Sequence, residues 1–270
     1  MQVFEQSLTS DVSRSNYLGR LEAFMKFLEI DDYDRLTKTD PKILQTNVED
    51  YVIYLKKKHE RGAFRSRSFN TYLTPIEHFF VQNDITLNFK KIKKWFPKHE
   101  KLTGQDAYTN EDIKKLLSVA SLRWRAIIHF FASTGVRPGA IFDLKMSNLD
   151  FDRFDGCTLV VIYEGDNEEY SAFLTPEATL TLKEYFQKRE FDGEKITRDS
   201  PVFRNHYKET IAWQKVRPMK ISTFYASFYQ LAKKAGIRKP KQERRDRHNK
   251  RLIYGFRKRY NTTLKNRSSH

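Results

Sequence analysis

The chain has 270 residues, room for one large domain or two ordinary ones at roughly 100–200 residues each. Its 39% hydrophobic and 14% aromatic content excludes a disordered spacer, and no run of about 18 apolar residues marks a membrane helix. Fifty Lys and Arg against 34 Asp and Glu leave a formal charge of +16, which points to a polyanionic partner. That charge is spread over many segments, so nucleic acid is favoured over a membrane surface; a generally basic surface is the plain alternative. The N-terminus lacks a basic-then-apolar leader, and the single cysteine, Cys157, can form neither an internal disulfide nor a cysteine zinc cluster. A soluble, unsecreted protein of a reducing compartment is expected.

In chain order, Tyr17, Leu18, Leu21, Phe24, Met25 and Leu28 recur at helical spacing, with Asp11 or Ser13 as N-cap. A second helix runs through Leu44, Val48, Tyr51, Val52 and Leu55 and ends in Lys56, Lys57, Lys58, His59 and Arg61 before Gly62. A third carries Phe69, Tyr72, Leu73, Ile76, Phe79 and Phe80 around an internal Pro75 that can kink it. Residues 1–87 therefore read as a small helical bundle. Residues 88–104, rich in lysine including Lys93 and Lys94, read as a basic interdomain linker.

Residues 105–270 read as a second domain. Thr109 is placed to cap a helix that presents Ile113, Leu116 and Leu117, and the next helix, around Trp124 to Ser133, is apolar on nearly every side. Gly135 suits a helix C-terminus and Pro138 the first position of a following helix through Ala140, Ile141, Phe142 and Leu144. Thr158 to Tyr163 and Tyr170 to Leu174 pair as strands across a Gly165, Asp166, Asn167 turn. Thr175, Pro176 and Glu177 open a helix reaching about Arg189, and Ser222 to Ala235 forms another, closed by Gly236. The last 33 residues hold 13 Lys or Arg and two acids, +11 of the total, with Leu252, Ile253, Phe256, Tyr260 and Leu264 spaced as on a helix. The fold class is mainly α with a small antiparallel β-sheet.

Arg137 stands at a helix-to-helix corner beside a buried element, and Arg257 on a helix whose apolar residues draw it toward that core. Two guanidinium groups converging on one site suit a phosphate, because the planar fork bonds bidentately and keeps its charge. A capping role for Arg137 is the structural alternative. Lys56, Lys57, Lys58, Arg61, Arg65 and Arg67 suit either a solvated face or phosphate-backbone contact. The seven His residues show no metal-ligand spacing.

Thr134-Gly135-Val136-Arg137, a β-hairpin, and then Tyr254-Gly255-Phe256-Arg257 together resemble the tyrosine recombinases, or phage integrases, in wording most similar to archaeal members. The resemblance covers the chain from about Ala107 onward and implies a tyrosine-recombinase-like catalytic domain behind a helical core-binding domain. Such enzymes attack a DNA backbone phosphate with a tyrosine hydroxyl, without metal or nucleotide, so no cofactor is expected. By resemblance Arg137 and Arg257 bind the scissile phosphate, and Tyr254 stands where most members have His and some archaeal ones Tyr or Lys. Lys93, Lys94 and Arg259 join the basic residues above as expected DNA contacts. The partners implied are double-stranded DNA, a second copy on DNA or a full-length recombinase, with a cytoplasmic, nucleoid-associated location.

Departures from the family pattern matter too. The family's hairpin lysine would fall between Glu164 and Asn167, where there is none, and Ala140 replaces a common acid. The nucleophilic tyrosine would lie well beyond Arg257, so a chain truncated before it, unable to cut DNA alone, is expected; Tyr260 reads as a packing residue. A non-catalytic DNA-binding regulator and a basic RNA-binding protein remain as alternatives.

Overall fold

A computed structural model describes residues 2–98, 106–205, 216–238 and 250–268. The chain divides into two compact units, Met1–Leu102 and Thr103–His270.

The first unit is helical: α1 (Gln2–Gln6), α2 (Asp11–Phe27), α3 (Tyr33–Thr37), α4 (Pro41–Glu60), α5 (Phe69–Gln82) and α6 (Phe89–Lys93). Ser10, rather than Asp11 or Ser13, caps α2; its side-chain oxygen accepts from the Ser13 backbone N–H at 3.2 Å. Asp40 caps α4, and Pro41 takes the first turn, where a missing N–H costs no bond. The α4 stripe of Leu44, Val48, Tyr51, Val52 and Leu55 is buried, as is Pro75 inside α5. Phe24, Tyr51 and Phe80 meet as edge-to-face rings in this core.

The expected linker is corrected in part. Phe89 and Ile92 of α6 are buried in the core of the first unit, and Trp95 and Phe96 pack against it. Four lysines hide this pattern in the sequence, because two apolar side chains three residues apart suffice to dock one helical turn while the lysines stay in water. The boundary between units falls after Leu102, and residues 99–105 lie outside the described part.

The second unit contains α7 (Asn110–Val119), α8 (Leu122–Thr134), the strands β1 (Leu149–Phe154), β2 (Cys157–Ile162) and β3 (Tyr170–Leu174), then α9 (Pro176–Phe191), α10 (Ile221–Lys234) and α11 (Tyr254–Ser268). The sheet is antiparallel in the order β1-β2-β3, with Val160 of β2 opposite Leu149 and Ala172. Thr109 and Asp112 form a reciprocal capping box at α7. α8 buries Trp124, Ala126, Ile127, Ile128, Phe130 and Phe131, which makes it the central element of this core. The helix expected after Pro138 is only a 3-10 turn, Pro138–Ile141; Ala140, Ile141 and Leu144 are buried all the same. β1 was not expected: its acids mask a strand that pairs only along one edge.

Buried charge is paired. Arg189, fully buried at the end of α9, bonds Glu194 and donates to the carbonyls of Pro201 and Val202 at 2.9 Å, and Arg204 meets Glu194 at 2.7 Å. Lys250 bonds Asp112, which ties the segment preceding α11 to the start of α7. Burial alone would raise the Asp112 pKa, but the bonds from Lys250 and Thr109 outweigh it and hold the carboxyl below its ordinary value. A depressed folded pKa stabilises above the unfolded value and is lost as pH falls through the folded one. Urea midpoints should therefore drop below about pH 4 in the native chain, and the drop should be smaller in Asp112→Asn; equal acid sensitivity in both would refute this account.

Candidate phosphate-binding site

The site is built on the corner that ends α8. Gly135 closes the helix in the left-handed region, φ 58°, which carries little cost without a side chain. Arg137 precedes Pro138, and the proline ring disfavours helical geometry for the residue before it. Arg137 is accordingly extended, φ −66° and ψ 142°, and its side chain leaves the corner into solvent.

α11 supplies the second arginine. Ile253 and Phe256 anchor its start, with the Phe256 ring 4.6 Å from that of Tyr108. Gly255 passes so close beneath Tyr108 that a Cβ there would lie 2.6 Å from the ring. Arg257, two residues on, donates from Nη1 to the Gly135 carbonyl at 3.0 Å. The guanidinium that caps α8 is thus Arg257; Arg137 makes no such bond. Arg137 instead meets Glu168 of the β2–β3 loop, Nη1 to Oε2 2.5 Å, and that bond and charge raise its pKa further.

Arg137 and Arg257 line one cleft of about 620 Å³ with Glu168, Tyr170 and Tyr260, and share with Tyr254 and Lys258 a second opening of about 590 Å³. The three residues expected to carry the chemistry, Arg137, Arg257 and Tyr254, are brought together. Tyr254 is 44% exposed. Tyr260, expected to be a packing residue, lies with its ring over Gly135. Among the described residues no cluster of His, Cys, Asp or Glu could hold a metal ion.

The remaining basic residues distribute unevenly. Arg259, an expected DNA contact, is turned back toward the fold, donating to the Tyr108 carbonyl at 3.1 Å and to Asn110 Oδ1 at 2.5 Å. Those acceptors at the start of α7 lie within reach of α11, and bonding them holds the two helices together. In the first unit Lys57, Arg61, Arg67 and Lys94 are exposed, Lys56 and Arg65 half-buried, and Lys58 rests over the Tyr54 ring at 4.5 Å. Lys93 bonds Glu77 at 2.6 Å. Much of the basic stretch after Arg238, residues 239–249, lies outside the described part. Sequence reasoning overlooked Glu168 and Tyr170; the alternation of β3, with Ala172 and Leu174 buried, was the available signal that Tyr170 shares their face.

The phage integrase family model matches residues 107–256, more than half of the chain. The chain belongs to the phage integrase family. It is 24% identical over 231 residues to the tyrosine recombinase XerC of Leptospira interrogans, covering 77% of this chain and 70% of that protein. To XerC of Thermodesulfovibrio yellowstonii it is 24% identical over 225 residues, covering 82% and 71%. Two solved structures share the fold. The XerH site-specific recombinase bound to its difH substrate aligns with TM-score 0.60 and 17% identity over 96% of this chain and 71% of that one. The Tn1549 transposon integrase in complex with circular intermediate DNA aligns with TM-score 0.59 and 15% identity over 100% and 87%. The mainly helical architecture with a small antiparallel sheet is thus that of this family's catalytic domains. No helix among the described residues is long and apolar enough to cross a membrane.

Proposed function

We propose that this phage integrase family member binds duplex DNA in site-specific recombination or integration, holding a backbone phosphate between Arg137 and Arg257. The observation that carries the reading is the shared cleft of these two guanidinium groups, 120 residues apart in the chain. Glu168 marks with its own carboxylate where an anionic oxygen meets Arg137, and a phosphodiester would have to displace it. Tyr254 is a hydrogen-bond donor to the same phosphate; its phenol in place of the family's usual histidine supports an archaeal-type member. The helical first unit adds backbone contacts through Lys56, Lys57, Lys58, Arg61, Arg65, Arg67, Lys93 and Lys94. A second copy on DNA or a full-length recombinase is the protein partner, and the cytoplasmic nucleoid the location.

Cleavage is not part of what the described residues do alone. Tyr260 is packed over Gly135, and acids occupy the hairpin turn where a lysine would protonate a leaving oxygen. The acid-lined hairpin equally favours a non-catalytic regulator that occupies recombination sites. A nicked suicide duplex tests both statements. We expect retention of duplex DNA in preference to RNA, an affinity falling steeply with salt at a log–log slope of roughly −0.9 per phosphate contacted, and no covalent adduct. An adduct mapping to Tyr254 or Tyr260 would refute the claim about cleavage. Preference for RNA, or indifference to salt, would refute the DNA-binding role.

A further inference from the structure

β3 brings one more polar group to the arginines. Tyr170 opens the strand opposite Ile162, on the face that carries buried Ala172 and Leu174, and continues that face outward into the cleft lined by Arg137 and Arg257. Tyr163, itself held at a φ of 57° where β2 ends, braces its ring edge-on with centroids 6.2 Å apart. Tyr170 and Arg257 line the same cleft, which brings the hydroxyl to the side of the guanidinium. Tyr170 is 39% exposed, so its tip is reachable from solvent while its ring is braced.

We propose that Tyr170 is a phosphate-contacting residue that also positions Arg257: its oxygen accepts from the guanidinium, and its O–H donates to an oxygen of the phosphodiester. The physical logic is one of shared geometry. Arg257 already spends one donor on the Gly135 carbonyl, and a second bond to the Tyr170 oxygen in the shared cleft would hold the fork in one orientation. Burial and the neighbouring Tyr163 raise the Tyr170 pKa against the lowering effect of the two arginines, so the phenol keeps its proton at neutral pH and remains a donor. Glu168, two residues earlier, already places a carboxylate against Arg137 on the same hairpin, so an incoming phosphate exchanges an internal anion for itself while Tyr170 stays in place.

This inference rests on the reading of the cleft as a phosphate site, and the test separates the two. Inorganic phosphate is titrated into the full chain while the Nε–H signals of Arg137 and Arg257 are followed by NMR, in the native protein and in Tyr170→Phe, which keeps the ring and its packing. We expect phosphate to move both signals in the native chain. In Tyr170→Phe the Arg257 signal should already be shifted without phosphate while that of Arg137 is not, and phosphate should bind about fivefold more weakly, the worth of one hydrogen bond of roughly 1 kcal/mol. Equal affinity with an unmoved Arg257 signal would overturn the role of Tyr170 and leave the two-arginine site standing. A native chain in which phosphate moves neither signal would overturn the site and this inference together.

Discussion

Arg257→Ala lowers the affinity of the chain for duplex DNA by about 10- to 100-fold and leaves less discrimination against salt. The estimate follows from the bonds at risk: hydrogen bonds to charged groups are worth roughly 1.5–3 kcal/mol, and each 1.4 kcal/mol is a factor of ten. Arg257 is half-buried on a helix anchored by Phe256, so its guanidinium is pre-positioned and little ordering entropy offsets the contact. Arg257→Lys should recover only part of the loss, because an ammonium lacks the planar fork that lets Arg257 bond the Gly135 carbonyl and still present donors to a phosphate. Filter binding at several salt concentrations, with thermal unfolding as the control for fold, measures the effect. Full affinity in both variants would remove Arg257 from the site.

Gly135→Ala should damage both stability and the site. At φ 58° any side chain is strained by roughly 1–2 kcal/mol, and here the new Cβ would lie 2.5 Å from the Tyr260 ring, overpacking that costs roughly 1–3 kcal/mol more. The ring belongs to α11, so relieving the clash moves that helix away from the Gly135 carbonyl that Arg257 bonds. A loss of roughly 2–5 kcal/mol in urea unfolding is expected, together with weakened DNA binding in whatever fraction remains folded. Gly139→Ala is the matched control: the neighbouring glycine lacks a positive φ, meets nothing within 4 Å of its new Cβ, and should change stability by less than about 0.5 kcal/mol. Equal midpoints for Gly135→Ala and the native chain would show that the corner tolerates a side chain.

Local chemistry made much of this protein legible without coordinates. Thr109 caps α7, Gly135 ends α8, Thr175 and Pro176 open α9, and β2 pairs with β3, because caps, left-handed glycines and β-branched runs act over a few residues. Arg137 at the corner and Arg257 on an anchored helix were legible for the same reason. α6 was not, since its two buried side chains stand among lysines, and neither was β1, whose acids contradict its pairing until β2 is beside it.

Sequence alone therefore determined which backbone corners and helix faces exist, and that two arginines are carried on them, since those properties depend on neighbours a turn away. Only the tertiary structure decided what each cation touches. Arg137 finds Glu168 across 31 residues, Arg257 finds the Gly135 carbonyl across 122, and Arg259, two positions on, turns to Tyr108 across 151. A guanidinium on a long flexible stem takes the nearest acceptor that packing delivers, and which acceptor that is emerges only once α11 has docked against α8 and α7.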